Sequence, residues 1–527
     1  MPNILQATYM CSRQFDDTRQ QKYIIPTLVY QLARHSKSYA RALLDADKFD
    51  SVEIPSKQLQ ELFVGPWQKS AIDRPHDLPL YLIVIDALDE VDDKGGLAFL
   101  QALLTTIQEG HLQGLKFFVT SREDNEVASL CDHFSSDVVC RLHKVAEKDV
   151  GADILRYLDA ELPLLDKGER AELARRAGGL FIYAATAVRY ITPQTGLTRE
   201  EQLDLMGSLL SGSWDLSEGF EEPLQVDILY RQILFEAFGK LRNELRLPRL
   251  QILYTLLCTE ERVSTSVAAE LLSTSSDMVG RANQVVRDLH AVLYVSDGKV
   301  FWYHASFPDF IFNQARSRFM MPMTHLGTSF QIDMSCDPAF HHALLTRSCF
   351  RIMMSGLCFN ICNLPSSFLL DSEVPNLQVK DKICDSLRYA CQHWAEHMVQ
   401  ATPSDHKALR ACLVTFLHTR VLFWIEAMNL LQASSQCARM LLEVRDFIQI
   451  YDFIQKVRGL YISYNLINNR KNSIIVVVVR ISFYRTFWMQ LTLLNITLQV
   501  QPDSQPPIFI SQHWQHGQSI ASYTKHG

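Results

Sequence analysis

The feature that most restricts the fold of this chain is an apolar run that ends in an acid. Residues Tyr81 to Ile85 are uninterrupted apolar residues, Asp86 follows directly, and Asp89 and Glu90 come next. Such a run is typical of a strand that is buried in a parallel sheet. An acid after the strand lies at the carboxyl edge of the sheet, where ligands bind in open α/β folds. The pattern therefore predicts an α/β domain with a candidate site at this edge.

A second predicted strand, Leu115 to Thr120, ends in Ser121 and Arg122. Parallel neighbours end on the same edge of a sheet, so we expect Asp86 and Arg122 to face one cleft. Further strands are predicted at Ala7–Cys11 and Val138–Leu142, and helices at Ile24–Leu44 and Leu97–Ile107. Alternating strands and helices indicate a mostly parallel α/β sheet over residues 1–146.

Helical spacing takes over beyond this domain and predicts a helical domain over residues 147–245. Its predicted helices are Asp149–Ala160, Lys167–Ala177, Phe181–Ile191, Arg199–Leu210 and Asp227–Asn243.

Residues 246–318 follow a different pattern. Helices are predicted at Pro248–Cys258, with the proline at the first position, and at Val263–Ser273 and Met278–Ala291. Two short apolar runs around Asp297-Gly298 predict a hairpin. Three helices closed by a hairpin describe a winged helix. Residues 337–456 are expected to form an α-helical connector domain.

The last stretch, residues 457–527, has no periodicity and contains the valine run Val476–Val479. This run is too short for a membrane span and has the composition of an aggregation-prone segment. We interpret the tail as irregular, translated from an intron or from a shifted reading frame.

The residue types at the predicted edge suit phosphate and metal chemistry. Asp86 is predicted to hold Mg²⁺, an ion that prefers oxygen ligands and keeps several waters. Asp89 and Glu90 can position or polarise a water, and Arg122 has the forked, permanently charged group that matches phosphate oxygens. The alternatives are a solvated acidic turn and an arginine that merely caps a strand.

These motifs occur in the order that is found in NACHT domains. Asp86-x-x-Asp89-Glu90 resembles the Walker B segment, and Thr120-Ser121-Arg122 resembles the sensor segment. Gly178-Gly179-Leu180-Phe181 resembles the segment that closes over the nucleotide, Asp227–Tyr230 a segment before the winged helix, and His304 to Phe310 the winged-helix histidine motif.

The resemblance, which covers roughly residues 6–454, is to fungal STAND-class, NLR-like proteins of the mushroom type. It implies a P-loop-NTPase-like sheet and ATP or GTP with Mg²⁺ as ligands. It also implies that Arg122, Gly178, Gly179 and His304 contact the nucleotide. Protein partners would bind through an N-terminal effector region and a C-terminal WD-repeat propeller, and the active state would be a homo-oligomer.

The sequence departs from this family at one essential point. The loop G-x-x-x-x-G-K-[ST] occurs nowhere in the 527 residues. Backbone amides that cradle phosphates, the phosphate lysine and the Mg²⁺-binding hydroxyl are therefore missing. We expect a NACHT domain that is truncated at its N-terminus and lacks Walker A, together with the strand that precedes it.

Composition argues against a nucleic-acid-binding protein, a membrane protein and a disulfide- or zinc-stabilised protein. A net charge of −7 argues against nucleic acid or anionic membranes as partners. The candidate membrane span Leu413–Leu431 is interrupted by His418, Arg420 and Glu426, which indicates a buried helix. None of the 12 cysteines forms a C-x-x-C pair, so buried free thiols in a cytoplasmic protein are expected.

Three functions remain open. The first is a nucleotide-dependent signalling switch that hydrolyses ATP or GTP slowly. The second is a non-catalytic helical adaptor derived from such a switch. The third, a winged-helix DNA binder, is disfavoured because the helix Met278–Ala291 offers only Arg281 and Arg287 as cations.

Overall fold

The computed structural model of the chain is mostly helical, with a small parallel sheet near the N-terminus. It describes residues 5–45, 54–73, 81–122, 125–132, 134, 138–141, 147–193, 196–211, 225–272, 277–322, 329–366, 369 and 374–444. The tail 457–527, which we interpret as irregular, lies outside the described residues.

The sheet contains three strands in the order β1-β2-β3, namely β1 (Leu5–Met10), β2 (Tyr81–Asp86) and β3 (Leu115–Val119). All neighbours are parallel; Met10 lies opposite Asp86, and Ile85 lies opposite Val119. The predicted parallel arrangement of the two strands that end in Asp86 and before Arg122 is therefore confirmed.

Burial of the sheet differs from the prediction. In β2, Ile83 and Ile85 are fully buried, but Tyr81, Leu82 and Val84 are only half-buried. In β3, Leu115 is buried whereas Phe118 is 57% exposed. The prediction of strands that are buried on both faces is wrong for β3, because side chains alternate between the two faces and only one face of β3 packs against the core.

Helices between and after the strands enclose the core of this region. They are α1 (Asp16–Arg19), α2 (Ile24–His35), α3 (Lys37–Leu44), α4 (Pro55–Gln58), α5 (Gly65–Lys69), α6 (Gly95–Gln108) and α7 (Asn125–Cys131). The predicted helix Ile24–Leu44 is two helices, because Ser36 leaves the helical conformation and its hydroxyl caps α3 by accepting from the Tyr39 amide. The core joins the sheet to α2, α5 and α6 through buried residues such as Ile25, Trp67 and Phe99.

The described part of the predicted strand Val138–Leu142 does not form a strand. Residues 138–141 have no strand pairing in the described part of the chain, and Leu142 lies outside it. Val138 is 66% exposed. An apolar run forms a strand only where a neighbouring backbone pairs with it, and the local pattern does not report that partner.

A helical region follows, with α8 (Glu147–Glu161), α9 (Lys167–Ala177), α10 (Phe181–Ile191), α11 (Arg199–Ser211) and α12 (Gln225–Leu234). Asp166 and Glu169 form a capping box at the start of α9. The predicted helix Asp227–Asn243 is shorter, since α12 continues only as a π-helical turn to Gly239 and Asn243 begins the next helix.

The predicted three helices and hairpin are present, as α13 (Asn243–Cys258), α14 (Thr265–Leu272), α15 (Asp277–Asp288), β4 (Leu293–Ser296) and β5 (Lys299–Trp302). The strands are antiparallel, and Asp297 and Gly298 both adopt positive φ, as a tight hairpin turn requires. Pro248 lies inside α13 and not at its first position, so that prediction is wrong; the upstream residues extend the helix despite the proline.

The chain continues with α16 (Ser306–Phe312), α17 (Gln314–Ser317) and a second antiparallel hairpin of β6 (Arg318–Pro322) and β7 (Ser329–Asp333) that the sequence did not predict. It then forms α18 (Pro338–Gly356), α19 (Asn376–Lys382), α20 (Asp385–Gln400), α21 (His406–Thr419), α22 (Val421–Leu430) and α23 (Gln436–Glu443).

Two compact units divide the chain. The first is Met1–Ala268 with Val279–Cys336, and the second is Ala269–Met278 with Asp337–Gly527. The second unit is built around α18 and α20, whose buried faces meet at Phe350 and Trp394. Among the described residues, no single helix is long and apolar enough to cross a membrane; Pro403–Thr419 and Val421–Leu430 meet that test only together, and they are bent by 76°.

Candidate functional site at the carboxyl edge of the sheet

A tight hydrogen-bonded turn presents the acids that follow β2. The Thr120 hydroxyl donates to Asp86 Oδ1 at 2.6 Å and accepts the Ala87 amide at 2.8 Å. The Leu88 amide donates to the Thr120 carbonyl at 2.9 Å. Ala87 has φ 54°, a left-handed conformation that costs a non-glycine residue roughly 1–2 kcal/mol. This turn leaves the Asp86 side chain exposed at the edge.

Asp89 and Arg122 form a two-point contact across the same edge. The Arg122 amide donates to Asp89 Oδ1 at 3.0 Å, and its Nε donates to Oδ2 at 2.6 Å. Arg122 also reaches α16, which follows the hairpin β4–β5, where its Nη1 donates to Asp309 Oδ2 at 2.5 Å. The structure therefore brings Asp86, Asp89 and Arg122 together at one edge and adds Asp309, a residue that the sequence did not single out.

Arg13 completes this arrangement from the end of β1. Its Nη1 donates to Asp309 Oδ1 at 3.3 Å, and its Nη2 donates to the Asp89 carbonyl at 3.3 Å. Its backbone amide donates to Glu90 Oε2 at 3.1 Å. Sequence reasoning missed Arg13 as a site residue. Its place just after a strand parallel to β2 was the signal, since such a residue shares the carboxyl edge.

We call Arg13, Asp89, Glu90, Arg122 and Asp309 the edge cluster. Burial raises the pKa of Asp89, but the hydrogen bonds from Arg122 outweigh this effect and hold it below its usual range. For Glu90, burial prevails over the bond from Arg13 and raises the pKa. Burial also raises the pKa of the Cys11 thiol to about 12, helped by the carboxylates of Glu90 and Asp86. This thiol is therefore protonated and unreactive at neutral pH.

His304 lies just beyond β5, and a local network fixes its ring. The Ser306 amide donates to His304 Nδ1 at 3.1 Å, and the Ser306 hydroxyl lies 2.7 Å from Nδ1 and 2.8 Å from the Tyr230 hydroxyl. An amide can only donate, so Nδ1 accepts and the proton of the neutral ring lies on Nε2.

The charge state of His304 follows from its neighbours. Loss of hydration within the surrounding protein lowers the pKa of His304, and the nearby guanidinium of Arg122 lowers it further. The Asp309 carboxylate raises this pKa, but by less. His304 is therefore electrostatically coupled to the edge cluster. At neutral pH it offers a hydrogen-bond donor without adding a positive charge.

The segment that follows β1 holds the sheet to the hairpin β4–β5. Gln14 makes two bonds to the backbone of Trp302, at 3.0 and 3.1 Å. The rings of Phe15 and Phe301 lie 5.4 Å apart, and Arg19 pairs with Glu260 at 3.2 Å. The edge cluster is therefore one of several contacts that join these two regions of the first unit.

Gly178 and Gly179 lie at the junction of α9 and α10. Both adopt positive φ, 53° and 79°, and Gly178 ends α9 as its C-cap. A Cβ at Gly178 would lie 3.6 Å from Gln225 Cγ, at the start of α12. The end of α9 therefore accounts for the presence of glycine at both positions. Their predicted contact with a nucleotide stays a prediction.

The arrangement fits metal-phosphate chemistry only in part. An exposed carboxylate at Asp86, oriented by Thr120, suits a hydrated Mg²⁺ that one protein oxygen holds. Both oxygens of Asp89 accept from Arg122, and Glu90 Oε2 accepts the Arg13 amide, so these contacts compete with a water for the same oxygens. The predicted catalytic roles of Asp89 and Glu90 remain predictions.

Comparison with known families covers the sheet and the acids that follow β2. Residues 3–122 match the family model described as Nephrocystin 3, N-terminal. This part of the chain is similar to a NACHT-related family. The match extends from β1 to Arg122 and stops before α16, which carries Asp309. No curated protein matches the chain.

Proposed function

We propose that this chain is part of a cytoplasmic, NACHT-type nucleotide-dependent signalling switch of a fungal NLR-like protein, and that the structure is its closed conformation. The observation that carries the proposal is the double engagement of Arg122. One guanidinium binds Asp89 at the carboxyl edge of β2 and Asp309 on α16. The residue that would sense a phosphate is thus also one of the residues that hold the winged-helix region against the sheet.

Shared use of Arg122 supplies a switching mechanism. A phosphate at this edge would bind the same guanidinium that Asp309 binds in the closed conformation. The two therefore compete, and the bound nucleotide and the packing of the winged helix depend on each other. His304, with its Nε2 donor and lowered pKa, adds a neutral contact on the winged-helix side. Asp86 would hold the Mg²⁺ of the nucleotide, which neutralises phosphate charge when bound.

The phosphate loop has to be supplied for this function. Since G-x-x-x-x-G-K-[ST] does not occur in the 527 residues, the test uses a form in which a strand, that loop and a helix precede Leu5. Hydrogen–deuterium exchange is measured over residues 293–312 with ADP and with ATP-Mg. We expect protection with ADP and faster exchange with ATP-Mg. A matched form with the loop lysine changed to alanine should show no nucleotide effect.

Equal exchange over residues 293–312 with both nucleotides, although both bind, would overturn the proposal. If neither nucleotide binds even with the loop present, the edge is not a nucleotide site.

The second candidate is a non-catalytic helical adaptor, a function that needs no phosphate loop. The second unit, with buried faces on α18 and α20, would then serve as a scaffold for protein partners. The two functions differ in one observable. An adaptor binds its partner with the same affinity whether ADP, ATP-Mg or no nucleotide is present, whereas a switch binds its partner or oligomerises in only one of these states.

A further inference from the structure

Two guanidiniums converge on the single carboxylate of Asp309. Arg122 Nη1 lies 2.5 Å from Asp309 Oδ2, and Arg13 Nη1 lies 3.3 Å from Asp309 Oδ1. The arginines come from the ends of β3 and β1, whereas Asp309 comes from α16, 187 residues after Arg122 and 296 residues after Arg13. The Asp309 carboxylate comes from a different part of the fold than the two arginines it bridges. In this respect it resembles a bound anionic ligand.

Each partner of this contact retains access to solvent. The side chain of Asp309 is 27% exposed, and those of Arg13 and Arg122 are 40% and 50% exposed. Ion pairs at such positions are weak and exchange readily with other anions. Guanidinium groups bind phosphate oxygens with the same forked geometry as carboxylates, so a phosphate can replace Asp309.

We infer that Arg13 and Arg122 form an anion-binding site which Asp309 occupies in the closed conformation, and that a phosphate-bearing ligand enters only by displacing Asp309. We call this pair of arginines, covered by Asp309, the masked anion site. The existence of the site does not depend on the proposed function; only the identification of its natural ligand as a nucleotide does. Asp309 is then an internal competitor, and its release is the step that loosens α16 from the sheet.

The surrounding charges define the class of ligand. Asp86, Asp89 and Glu90 lie at the same edge and disfavour a free anion. A polyphosphate that carries Mg²⁺ brings less negative charge and can share its cation with Asp86. The site therefore favours a magnesium polyphosphate over sulfate or inorganic phosphate.

The test measures the binding of tripolyphosphate to the full chain by calorimetry, with and without Mg²⁺. The decisive variant is Asp309→Asn, which keeps the shape of the side chain and removes the competing charge. We expect it to bind magnesium tripolyphosphate about 10-fold more tightly than the unaltered chain, as release of two partly exposed ion pairs allows. Asp309→Glu, which retains the charge, should bind as weakly as the unaltered chain.

Two further comparisons isolate the site. Asp333→Asn removes a carboxylate from the exposed pair with Arg318 in the same unit, and it should leave affinity unchanged. Adding Arg13→Gln or Arg122→Gln to Asp309→Asn should abolish the gain. A gain in the Asp333 variant equal to that in the Asp309 variant would mean a general charge effect and would overturn the inference.

A measurement on the unaltered chain covers the case in which Asp309→Asn does not fold. Saturating magnesium tripolyphosphate should speed hydrogen–deuterium exchange in residues 306–312, and unchanged exchange at saturation overturns the inference. If tripolyphosphate displaces Asp309 but nucleotides do not change exchange in the form that carries a phosphate loop, the masked site stands and the proposed nucleotide switch fails.

Discussion

Asp227 and Arg316 form a two-point ion pair between α12 and α17, with Asp227 Oδ1 2.6 Å from Arg316 Nη2 and Oδ2 2.9 Å from Nε. The Asp227 side chain is 2% exposed. Removing one partner of a buried pair leaves the other charge without its counterion and costs about 3–5 kcal/mol. Since Arg316 keeps some contact with water, we expect Asp227→Asn to lower the free energy of unfolding by about 3 kcal/mol, measured by urea denaturation.

The matched control is Asp333→Asn, because Asp333 pairs with Arg318 on the surface, where both side chains are more than a third exposed. Exposed pairs contribute about 0–1 kcal/mol. Equal losses in the two variants would contradict a structural role for the buried pair.

The strands and the edge could be predicted from the sequence because their signals are local. An apolar run ending in Asp86, and another ending before Arg122, are sufficient to place both residues at one edge once the strands are parallel. Helix boundaries such as those of α9 and α10 follow from Asp166 and Gly178, whose capping chemistry is also local.

The pairing of Arg122 with Asp309 could not be predicted. Asp309 is 187 residues away, and nothing in the sequence distinguishes it from the other acidic residues as the partner of Arg122. The same limit explains the error at Val138, because strand pairing depends on a distant neighbour. Pro248 was misplaced because tertiary packing sustains a helix through a proline whose local preference is to begin one.

Gly96, at the start of α6, is predicted to be essential for the position of the acidic turn. A Cβ at this residue would lie 2.3 Å from the Leu88 carbonyl oxygen, which belongs to the turn that carries Asp89. The backbone atom cannot give way as a side chain could, so Gly96→Ala should lower the free energy of unfolding by about 1–3 kcal/mol. Thermal denaturation measures the change.

Gly151 provides the control, since a Cβ there meets nothing within 4 Å and the residue lies inside α8. Gly151→Ala should be neutral or stabilising by up to about 1 kcal/mol. If Gly96→Ala is as well tolerated, the close approach of α6 to the acidic turn is not required.

Buried histidines in the second unit predict a loss of stability in mild acid. Burial lowers the pKa of His341 to about 3 and that of His342 to about 4, and it also lowers the pKa of His397. In the unfolded chain these rings take up protons near pH 6.5. Between pH 6.5 and 4 the unfolded state therefore binds more protons, so stability is fully present above pH 6.5 and falls as the pH is lowered.

Each neutral buried histidine contributes up to about 1.4 kcal/mol per pH unit to this slope. His342→Phe should therefore reduce the slope of unfolding free energy between pH 6.5 and 5. Phe350→Leu, a change in the apolar core of the same helix, should lower stability equally at each pH. An unaltered slope in the His342 variant would show that another group dominates the acid response.

The chain is predicted to bind ATP-Mg with a dissociation constant weaker than about 1 mM, because an acid such as Asp86 binds a metal-phosphate only when other groups already hold the phosphates. Calorimetry on the unaltered chain and on Asp86→Ala makes the comparison. Micromolar affinity that is lost in the Asp86 variant would show that another loop of this chain takes the place of the phosphate loop.

His304 is predicted to hold bound ADP through Nε2, because Nδ1 is occupied by the Ser306 amide at 3.1 Å. An asparagine places its amide oxygen near the position of Nδ1 and offers nothing at Nε2, whereas leucine removes both groups. In the form that carries a phosphate loop, His304→Asn and His304→Leu should both release ADP about 10-fold faster, the effect of losing one hydrogen bond to a charged group. Only His304→Leu should also speed hydrogen exchange at Ser306, since the asparagine still accepts its amide. ADP release at the unaltered rate in both variants would show that the histidine merely closes the end of β5.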